Sequence, residues 1–209
     1  VQTCALPIFL YAFDPGARGA LPVERFREAA EKFGYIVVGS NNSRNGAGVK
    51  LSEIIPTLLE DTTTRFSVDE SRAYTTGFSG GARVASMVAF WAQGKIAGVI
   101  GCGAGFSQEA KLSKDLPFIF YGIAGSEDFN LTELRRLVTT LNSLGAVARI
   151  AEFEGEHSWP PVAVCTEAVE WLELQAMKAN RRARDEKLIA EALAKRVERA
   201  TKDETSQKP

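Results

Sequence analysis

Two residues of the chain, Ser79 and His157, are candidates for nucleophilic chemistry. Ser79 lies in Gly77-Phe78-Ser79-Gly80-Gly81, a G-x-S-x-G pattern between a predicted strand and a predicted helix. Glycines flank the serine because a β-carbon on its neighbours would collide where the chain reverses. We expect the turn to hold Ser79 in a strained conformation with its Oγ at the carboxyl edge of a sheet. The N-terminus of the following helix would favour a negative charge developing there.

His157 is the candidate base, since a serine hydroxyl becomes a good nucleophile only when a group such as imidazole removes its proton. It is the only histidine in the chain, and it follows the last predicted strand in the segment 155–160, Gly-Glu-His-Ser-Trp-Pro. The carboxyl ends of parallel strands share one edge of a sheet, so His157 is expected beside Ser79. The alternative is a surface histidine without a chemical role.

An imidazole base needs a carboxylate that fixes its tautomer and stabilises its protonated form. Asp128 follows the preceding predicted strand at the same edge, in the segment 125–128, Gly-Ser-Glu-Asp. Glu127 is the alternative acid, although it could equally be a solvated loop carboxylate. The order serine, aspartate, histidine along the chain is typical of one hydrolase fold and differs from the orders in other serine hydrolases.

Six short apolar runs form the strands that would position these residues. Five of them are uncharged, and the sixth contains one Arg and one Glu; those at 35–40, 96–102 and 118–125 are expected to be buried strands. The predicted strands are Phe9–Phe13, Tyr35–Ser40, Ala73–Gly77, Ile96–Cys102, Phe118–Gly125 and Val147–Phe153.

Helical patterns alternate with these strands. The first predicted helix carries Val23, Phe26, Ala30 and Phe33 and ends at Gly34, and the second is capped by Ser52 and carries Ile54, Ile55, Leu58 and Leu59. The third helix buries Val84, Met87, Val88 and Trp91 on one face. The fourth carries Leu134, Leu137, Val138 and Leu141 and ends at Gly145. Strands alternating with helices predict an α/β fold: a doubly wound, mainly parallel sheet in a three-layer sandwich.

The composition excludes several classes of protein. The 209 residues are 45% hydrophobic and 24% charged, which excludes disorder over most of the chain and suits one core. The net charge of −1 gives no electrostatic field that would attract nucleic acid. Uncharged stretches such as Ile96–Gln108 are shorter than the roughly 20 residues that a membrane-spanning helix needs. Cys4, Cys102 and Cys165 lack metal-type spacing, and one histidine excludes a His-rich metal site. We expect no metal, no cofactor and no nucleic-acid partner.

The two ends of the chain differ from its middle. Residues 1–8, Val-Gln-Thr-Cys-Ala-Leu-Pro-Ile, resemble the in-frame translation of a common sequencing adapter, which would make the chain a truncated metagenomic fragment. The alternative is a genuine entrance to the first strand.

Residues 178–209 hold ten Lys or Arg and six Asp or Glu, with a thin apolar stripe at Ile189, Leu193 and Val197. We expect a catalytic domain over residues 9–177 and a solvated helical extension over 178–209; the alternative is a segment that leads to a protein partner.

The sequence resembles the α/β-hydrolases, and within them an esterase group that contains poly(3-hydroxybutyrate) depolymerase-like, feruloyl-esterase-like and dienelactone-hydrolase-like proteins. The resemblance covers roughly Phe9 to Met177. Its residues are Val68-Asp69, Arg72, Tyr74, Gly77 to Gly81, Gly125, Asp128, Gly155, His157 and Trp159-Pro160. The Trp-Pro pair after the histidine favours this group over other α/β-hydrolases.

The resemblance implies that Ser79 is the nucleophile, Asp128 the acid and His157 the base, with Gly80 N–H as one oxyanion donor. The second donor would be Gly16 or Ala17, because Pro15 has no N–H. The group usually has His-Gly in this loop, whereas the present chain has Asp14-Pro15-Gly16. The leading edge strands of the group are also missing, which would leave Tyr35–Ser40 as an open edge and lower the solubility relative to a longer chain.

Five further residues could contact a substrate. Arg18 and Arg44 lie on loops at the predicted catalytic edge and could bind an anionic group, or could simply be solvated. Phe106, Phe129 and Trp159 could line an acyl or aryl pocket, or pack as ordinary core aromatics.

The expected activity is hydrolysis of carboxylic esters, of small molecules or of polymer-derived compounds, through an acyl-enzyme. A serine peptidase or an acyltransferase would use the same three side chains, and a hydrolase-like binding or scaffold module would use none of them catalytically. The resemblance also implies export to the periplasm or the extracellular space.

Overall fold

The computed structural model describes residues 8–45, 49–67, 69–92, 94–107 and 110–206. Almost all of the predicted adapter segment, residues 1–7, lies outside these ranges, as does Val68. Ile8, the last residue of that segment, is the first residue of the first strand.

The sheet has six strands in the order β2-β1-β3-β4-β5-β6, and all of the pairs are parallel. Helices cover both of its faces, so the predicted doubly wound α/β fold is confirmed. The strands are β1 Ile8–Phe13, β2 Tyr35–Ser40, β3 Ala73–Phe78, β4 Ile96–Cys102, β5 Ile119–Gly125 and β6 Ala148–Phe153.

The helices follow the strands along the chain, and a short 3-10 turn over Glu70–Arg72 precedes β3. They are α1 Ala20–Phe33, α2 Leu51–Arg65, α3 Gly80–Trp91, α4 Leu131–Ser143, α5 Val162–Lys178 and α6 Glu186–Ser206. None of these helices is long and apolar enough to cross a membrane.

The direction in which the chain crosses the sheet changes at β1, which lies between β2 and β3. In open α/β sheets, ligands bind outside the carboxyl ends of the strands at such a switch point. The segments that leave β1 and β3 at this edge are the loop 14–19 and the turn that contains Ser79. The topology therefore places the predicted nucleophile at the expected ligand position.

The central strands of the sheet lie in the hydrophobic core. Every residue of β4 is buried, and a hydrophobic cluster that includes Tyr11, Phe120 and Leu134 packs about the sheet. Because helices cover both faces, these strands have no polar side to present to water, which explains their uncharged sequences.

Two details of the predicted helices are wrong. Ser52 does not cap α2, because the helix already begins at Leu51 and Lys50 occupies the N-cap position without a side-chain cap. Trp91 is not on a buried face, since 52% of its surface is exposed. Val84 and Val88 are buried as predicted, together with small residues such as Gly81 through which helix α3 approaches the sheet.

The described chain forms two compact units, one that ends at Ala168 and one that begins at Val169, inside α5. In the second unit the amino group of Lys195 lies 2.8 Å from the carboxylate of Glu170. The predicted boundary between residues 177 and 178 falls at the end of α5 and stays a prediction.

Helix α6 carries the predicted apolar stripe. Leu193 and Val197 are 60% and 57% exposed, so this part of the stripe faces solvent. Leu188 and Ala192, which lie outside the predicted stripe, are the buried apolar residues of this helix. A protein partner for α6 stays a prediction.

Candidate active site

Ser79 lies in a sharp turn between β3 and α3. Its backbone angles are φ 51° and ψ −119°, a region that non-glycine residues rarely adopt and that costs of order 1–3 kcal/mol. The Ser79 N–H donates to the carbonyl of Cys102 on β4 over 2.8 Å, and the Ser79 carbonyl accepts from the N–H of Ala82 over 3.0 Å. The strain expected from the sequence is therefore present, and bonds on both sides of the turn hold it.

The glycines beside the turn are required by close backbone approach. A β-carbon on Gly77 would lie 2.3 Å from the carbonyl carbon of Gly81, and one on Gly81 would lie 2.2 Å from the carbonyl oxygen of Phe13. Such separations are too short for real atoms, so only glycine allows α3 to begin directly against β1 and β3.

Ser79, His157 and Asp128 form a continuous hydrogen-bonded chain. His157 Nε2 lies 3.0 Å from Ser79 Oγ, and His157 Nδ1 lies 2.9 Å from Asp128 Oδ2. Both distances are in the range expected between a nucleophile, its base and the group that orients the base. The arrangement allows proton transfer from the serine hydroxyl to the imidazole.

The loop after β5 determines which carboxylate faces the imidazole. Asp128 is 5% exposed, and its other oxygen, Oδ1, accepts the N–H of Asn130 over 2.8 Å. Glu127 is exposed, and its N–H donates to the carbonyl of Gly155, which lies just before His157. The two loops are thus tied together by the backbone of Glu127, while the carboxylate in contact with His157 belongs to Asp128.

Two aromatic rings contact the imidazole of His157. The ring centroid of Phe78 lies 4.7 Å from that of His157, and the ring centroid of Phe129 lies 4.2 Å from it. Phe129 is 76% exposed, the most exposed of the large hydrophobic residues that the structure describes. An exposed aromatic ring against a base at a sheet edge is suited to contact an apolar part of a ligand.

Asp14, the first residue after β1, is a completely buried carboxylate. Its Oδ1 accepts the N–H of Gly16 over 2.9 Å and Arg18 Nε over 3.0 Å, and its Oδ2 accepts the indole N–H of Trp159 over 3.0 Å. Burial would raise the pKa of Asp14, but the bonds that it accepts, led by that from Arg18, outweigh burial and lower the pKa. Asp14 therefore joins the loop 14–19 to the loop that carries His157 and Trp159.

The lowered pKa of Asp14 predicts an acid-dependent loss of stability. Asp14→Asn should reduce the free energy of unfolding near neutral pH by about 1–3 kcal/mol, since buried donors lose their charged acceptor. A carboxyl whose pKa is lowered by folding stabilises the protein above its ordinary pKa of about 4, and this contribution fades as the pH falls through the lowered value. Urea unfolding of both proteins between about pH 7 and pH 3 would measure the difference.

The stability of the wild type and of Asp14→Asn should converge in acid. The exposed Asp115 provides a matched control, because Asp115→Asn should leave stability nearly unchanged at every pH. A difference between wild type and Asp14→Asn that stays constant down to pH 3 would contradict the role assigned to the ionised carboxylate.

The two predicted loop donors both bond within their own loop. The N–H of Gly16 donates to Asp14 Oδ1, and the N–H of Ala17 donates to the Asp14 carbonyl over 3.1 Å. Ala17 also adopts a positive φ of 57°, unusual for a residue with a β-carbon. Gly80 is the first residue of α3, and the first N–H groups of a helix have no acceptor within it.

The other predicted substrate contacts lie in different surroundings. Arg18 is paired with Asp14, and Trp159 is 8% exposed with its ring 5.5 Å from that of Phe78. The structure does not bring Phe106 to Ser79: within the described part of the chain its ring packs in the core, 5.0 Å from that of Phe120. Arg44 is exposed on the loop after β2, where its backbone pairs with Gly16.

Sequence reasoning missed the roles of Asp14 and Asn45. Asp14 carries a detectable signal, because it is an acidic residue directly after an apolar strand on the same edge as Ser79. Asn45 lies in a polar loop, and its side-chain amide packs against Gly80: a β-carbon on Gly80 would lie 2.0 Å from Asn45 Oδ1 and 2.3 Å from Nδ2. No pattern in the sequence points to this contact between two distant loops.

The described residues contain no cluster of three or more His, Cys, Asp or Glu side chains that could hold a metal ion. Cys102 and Cys165 are both buried, and burial raises the pKa of both thiols, that of Cys165 to about 12. Thiol groups with such surroundings are poor nucleophiles.

Several solved esterase structures are similar to this chain. Esterase PE8 is 14% identical over 82% of this chain and 95% of its own, with a TM-score of 0.63. An esterase from Pyrobaculum calidifontis is 14% identical over 82% and 77%, with a TM-score of 0.66. The S-formylglutathione hydrolase FrmB from Staphylococcus aureus is 14% identical over 82% and 83%, with a TM-score of 0.60. No protein-family model and no curated protein sequence matches the chain. The likeness establishes an α/β-hydrolase-like fold.

Proposed function

We propose that the protein is a serine hydrolase that cleaves carboxylic esters through an acyl-enzyme formed on Ser79. The observation that carries the proposal is the contact of His157 with both Ser79 Oγ, at 3.0 Å, and Asp128 Oδ2, at 2.9 Å. The strained backbone of Ser79 and the topological switch point support it. Several proteins of similar fold are described as esterases, which favours ester hydrolysis among the reactions open to these side chains.

In the first half of the reaction, Ser79 Oγ attacks the carbonyl carbon of the ester while His157 Nε2 takes its proton. Asp128 stabilises the imidazolium, and the N–H of Gly80 donates to the oxyanion. The tetrahedral intermediate then collapses, and the alkoxide leaves with the proton from His157. In the second half, a water molecule repeats these steps on the acyl-enzyme, releases the carboxylic acid and restores Ser79.

The sequence predicts the second oxyanion donor in the loop after β1, at Gly16 or Ala17. If Gly16 or Ala17 supplies it, that N–H must first leave its bond to Asp14. No metal and no organic cofactor takes part in the proposed reaction. The substrate is an ester of a small molecule or of a polymer-derived compound.

Phe129 is proposed to contact the leaving group, because its exposed ring lies against the base that protonates that group. Phe129→Ala should raise KM for a phenyl ester about 3- to 10-fold, the equivalent of the roughly 0.5–1.5 kcal/mol of an aromatic contact, with a smaller effect on kcat. Steady-state kinetics with phenyl and methyl esters of one acid would test it. The methyl ester is the matched control, and an equal increase of KM for both esters would argue against a leaving-group contact.

Labelling with a fluorophosphonate probe tests the proposed function directly. The probe should form a phosphonyl bond to Ser79 Oγ with loss of fluoride, and mass spectrometry of the digested protein should locate that bond. The wild type and the control Ser158→Ala, whose serine is exposed beside His157, should be labelled, whereas Ser79→Ala and His157→Ala should not.

The same experiment separates the alternatives. A folded wild type that resists the probe would contradict the proposal and favour a non-catalytic binding or scaffold module. A labelled protein that cleaves peptides but no esters, or that transfers its acyl group to an alcohol in preference to water, would instead identify a peptidase or an acyltransferase.

A further inference from the structure

We propose that Asn45 is a further catalytic residue, whose side-chain amide donates the second hydrogen bond to the oxyanion formed when Ser79 attacks the ester. This inference rests on the proposed function and names a group that the loop after β2 brings to the nucleophile turn.

The loop after β1 has no uncommitted N–H among its residues 15–19. Pro15 has no N–H, those of Gly16 and Arg18 donate to Asp14 Oδ1, and that of Ala17 donates to the Asp14 carbonyl. The N–H of Gly19 donates to Asn41 Oδ1 over 3.0 Å. The buried, ionised Asp14 thus organises the very amides that would otherwise be available to an oxyanion.

Asn45 lies where the missing donor is needed. Its side-chain amide packs against Gly80, so that a β-carbon on Gly80 would overlap both Asn45 Oδ1 and Nδ2. Gly80 carries the N–H expected to be the first donor. The Asn45 amide therefore packs against the first residue of α3, and two donors that lie this close can converge on one oxygen.

The backbone holds Asn45 in this position. Its N–H donates to the carbonyl of Pro15 over 2.8 Å, and the preceding residue, Arg44, forms an antiparallel bridge with Gly16. The loop after β2 is thereby attached to the loop after β1, next to the Ser79 turn. Because the backbone is fixed, the side chain of Asn45 has only a short distance over which to move.

The chemistry of a carboxamide fits the role. Its NH₂ group offers two donors, and a hydrogen bond from either is stronger to the charged oxyanion than to the neutral carbonyl of the bound ester. Removal of one such donor from an oxyanion site typically lowers kcat by about 10²–10³-fold.

Asn45→Ala should therefore lower kcat for a phenyl ester by about 10²–10³-fold with little change in KM. A trifluoromethyl ketone provides a second readout, because Ser79 Oγ adds to its carbonyl carbon, His157 takes the proton, and the oxyanion persists. Its inhibition constant should rise by about the factor by which kcat/KM falls.

Asn45→Asp should lose at least as much activity as Asn45→Ala, since its carboxylate would repel the oxyanion. The control is Asn42→Ala, which removes an exposed asparagine of the same loop.

Gly80→Ala gives an independent test that keeps the Asn45 amide and the N–H of residue 80. Its new β-carbon would displace the amide, so the variant should lose as much kcat as Asn45→Ala, and the double variant should lose no more than either single one. The thermal unfolding midpoint of each variant confirms that it is folded.

The inference is overturned if Asn45→Ala keeps kcat within about threefold of the wild type, if its loss appears only in KM, or if binding of the ketone is unaffected. Independent, multiplying losses in Asn45→Ala and Gly80→Ala would also overturn it. These outcomes differ from failure of the proposed function, in which the wild type itself would show no turnover that depends on Ser79.

Discussion

Ser79→Ala is expected to lower kcat for a short-chain phenyl ester by about 10⁴- to 10⁶-fold, because the variant loses the hydroxyl that contacts Nε2 of His157. The remaining rate would come from water attacking an ester that is still bound and polarised by the oxyanion donors. Measurement of phenol release at substrate concentrations well above KM gives kcat directly.

The fold of Ser79→Ala should be intact, since alanine can take the same backbone conformation and, among the residues that the structure describes, the hydroxyl bonds to His157 alone. Circular dichroism and the unfolding midpoint provide this control, and Ser158→Ala provides the matched serine variant. A folded Ser79→Ala with turnover within tenfold of the wild type would refute the proposed nucleophile.

Asp128→Asn is expected to lower kcat by about 10⁴-fold. An asparagine has nearly the shape of the aspartate, but it cannot stabilise the imidazolium and it offers an NH₂ group toward Nδ1 of His157. The base would then be held in the tautomer whose Nε2 carries the proton, which cannot accept the proton of Ser79. Steady-state kinetics with the same phenyl ester would measure the loss.

Glu127→Gln is the matched control for Asp128→Asn, because the two carboxylates are adjacent and only that of Asp128 lies against His157. It should retain kcat within a few-fold. If Glu127→Gln were the impaired variant and Asp128→Asn were active, the assignment of the acid would be reversed.

The strands and the three hydrogen-bonded side chains of the site were predictable from the sequence, because their positions follow from the topology of a parallel sheet. Ser79, Asp128 and His157 each follow a strand of a parallel sheet, and all such strand ends lie at one edge. Runs such as Ile96–Cys102 could be recognised as strands because full burial excludes charged residues from them.

The remaining contacts were less predictable because they depend on the paths of loops. Phe106 follows a strand as Ser79 does, but its ring turns into the core rather than toward the site. Asn45 reaches Gly80 only because its loop is bonded to the loop after β1. Asp14 could have been recognised as an acidic residue at a strand end, but its buried state depends on the partners that surround it.

The hydrogen bond between the indole of Trp159 and Asp14 gives the protein an internal optical reporter. Trp159 is two residues from His157 and is nearly buried; of the other two tryptophans, Trp91 is half exposed and Trp171 is buried. Indole emission depends on the polarity and the charge around the ring, so protonation of Asp14 or a shift of the loop beside Ser79 should change the fluorescence of Trp159. With Trp91 and Trp171 replaced by phenylalanine, changes around Asp14 and His157 can thus be followed in the unlabelled protein, without a chromogenic substrate.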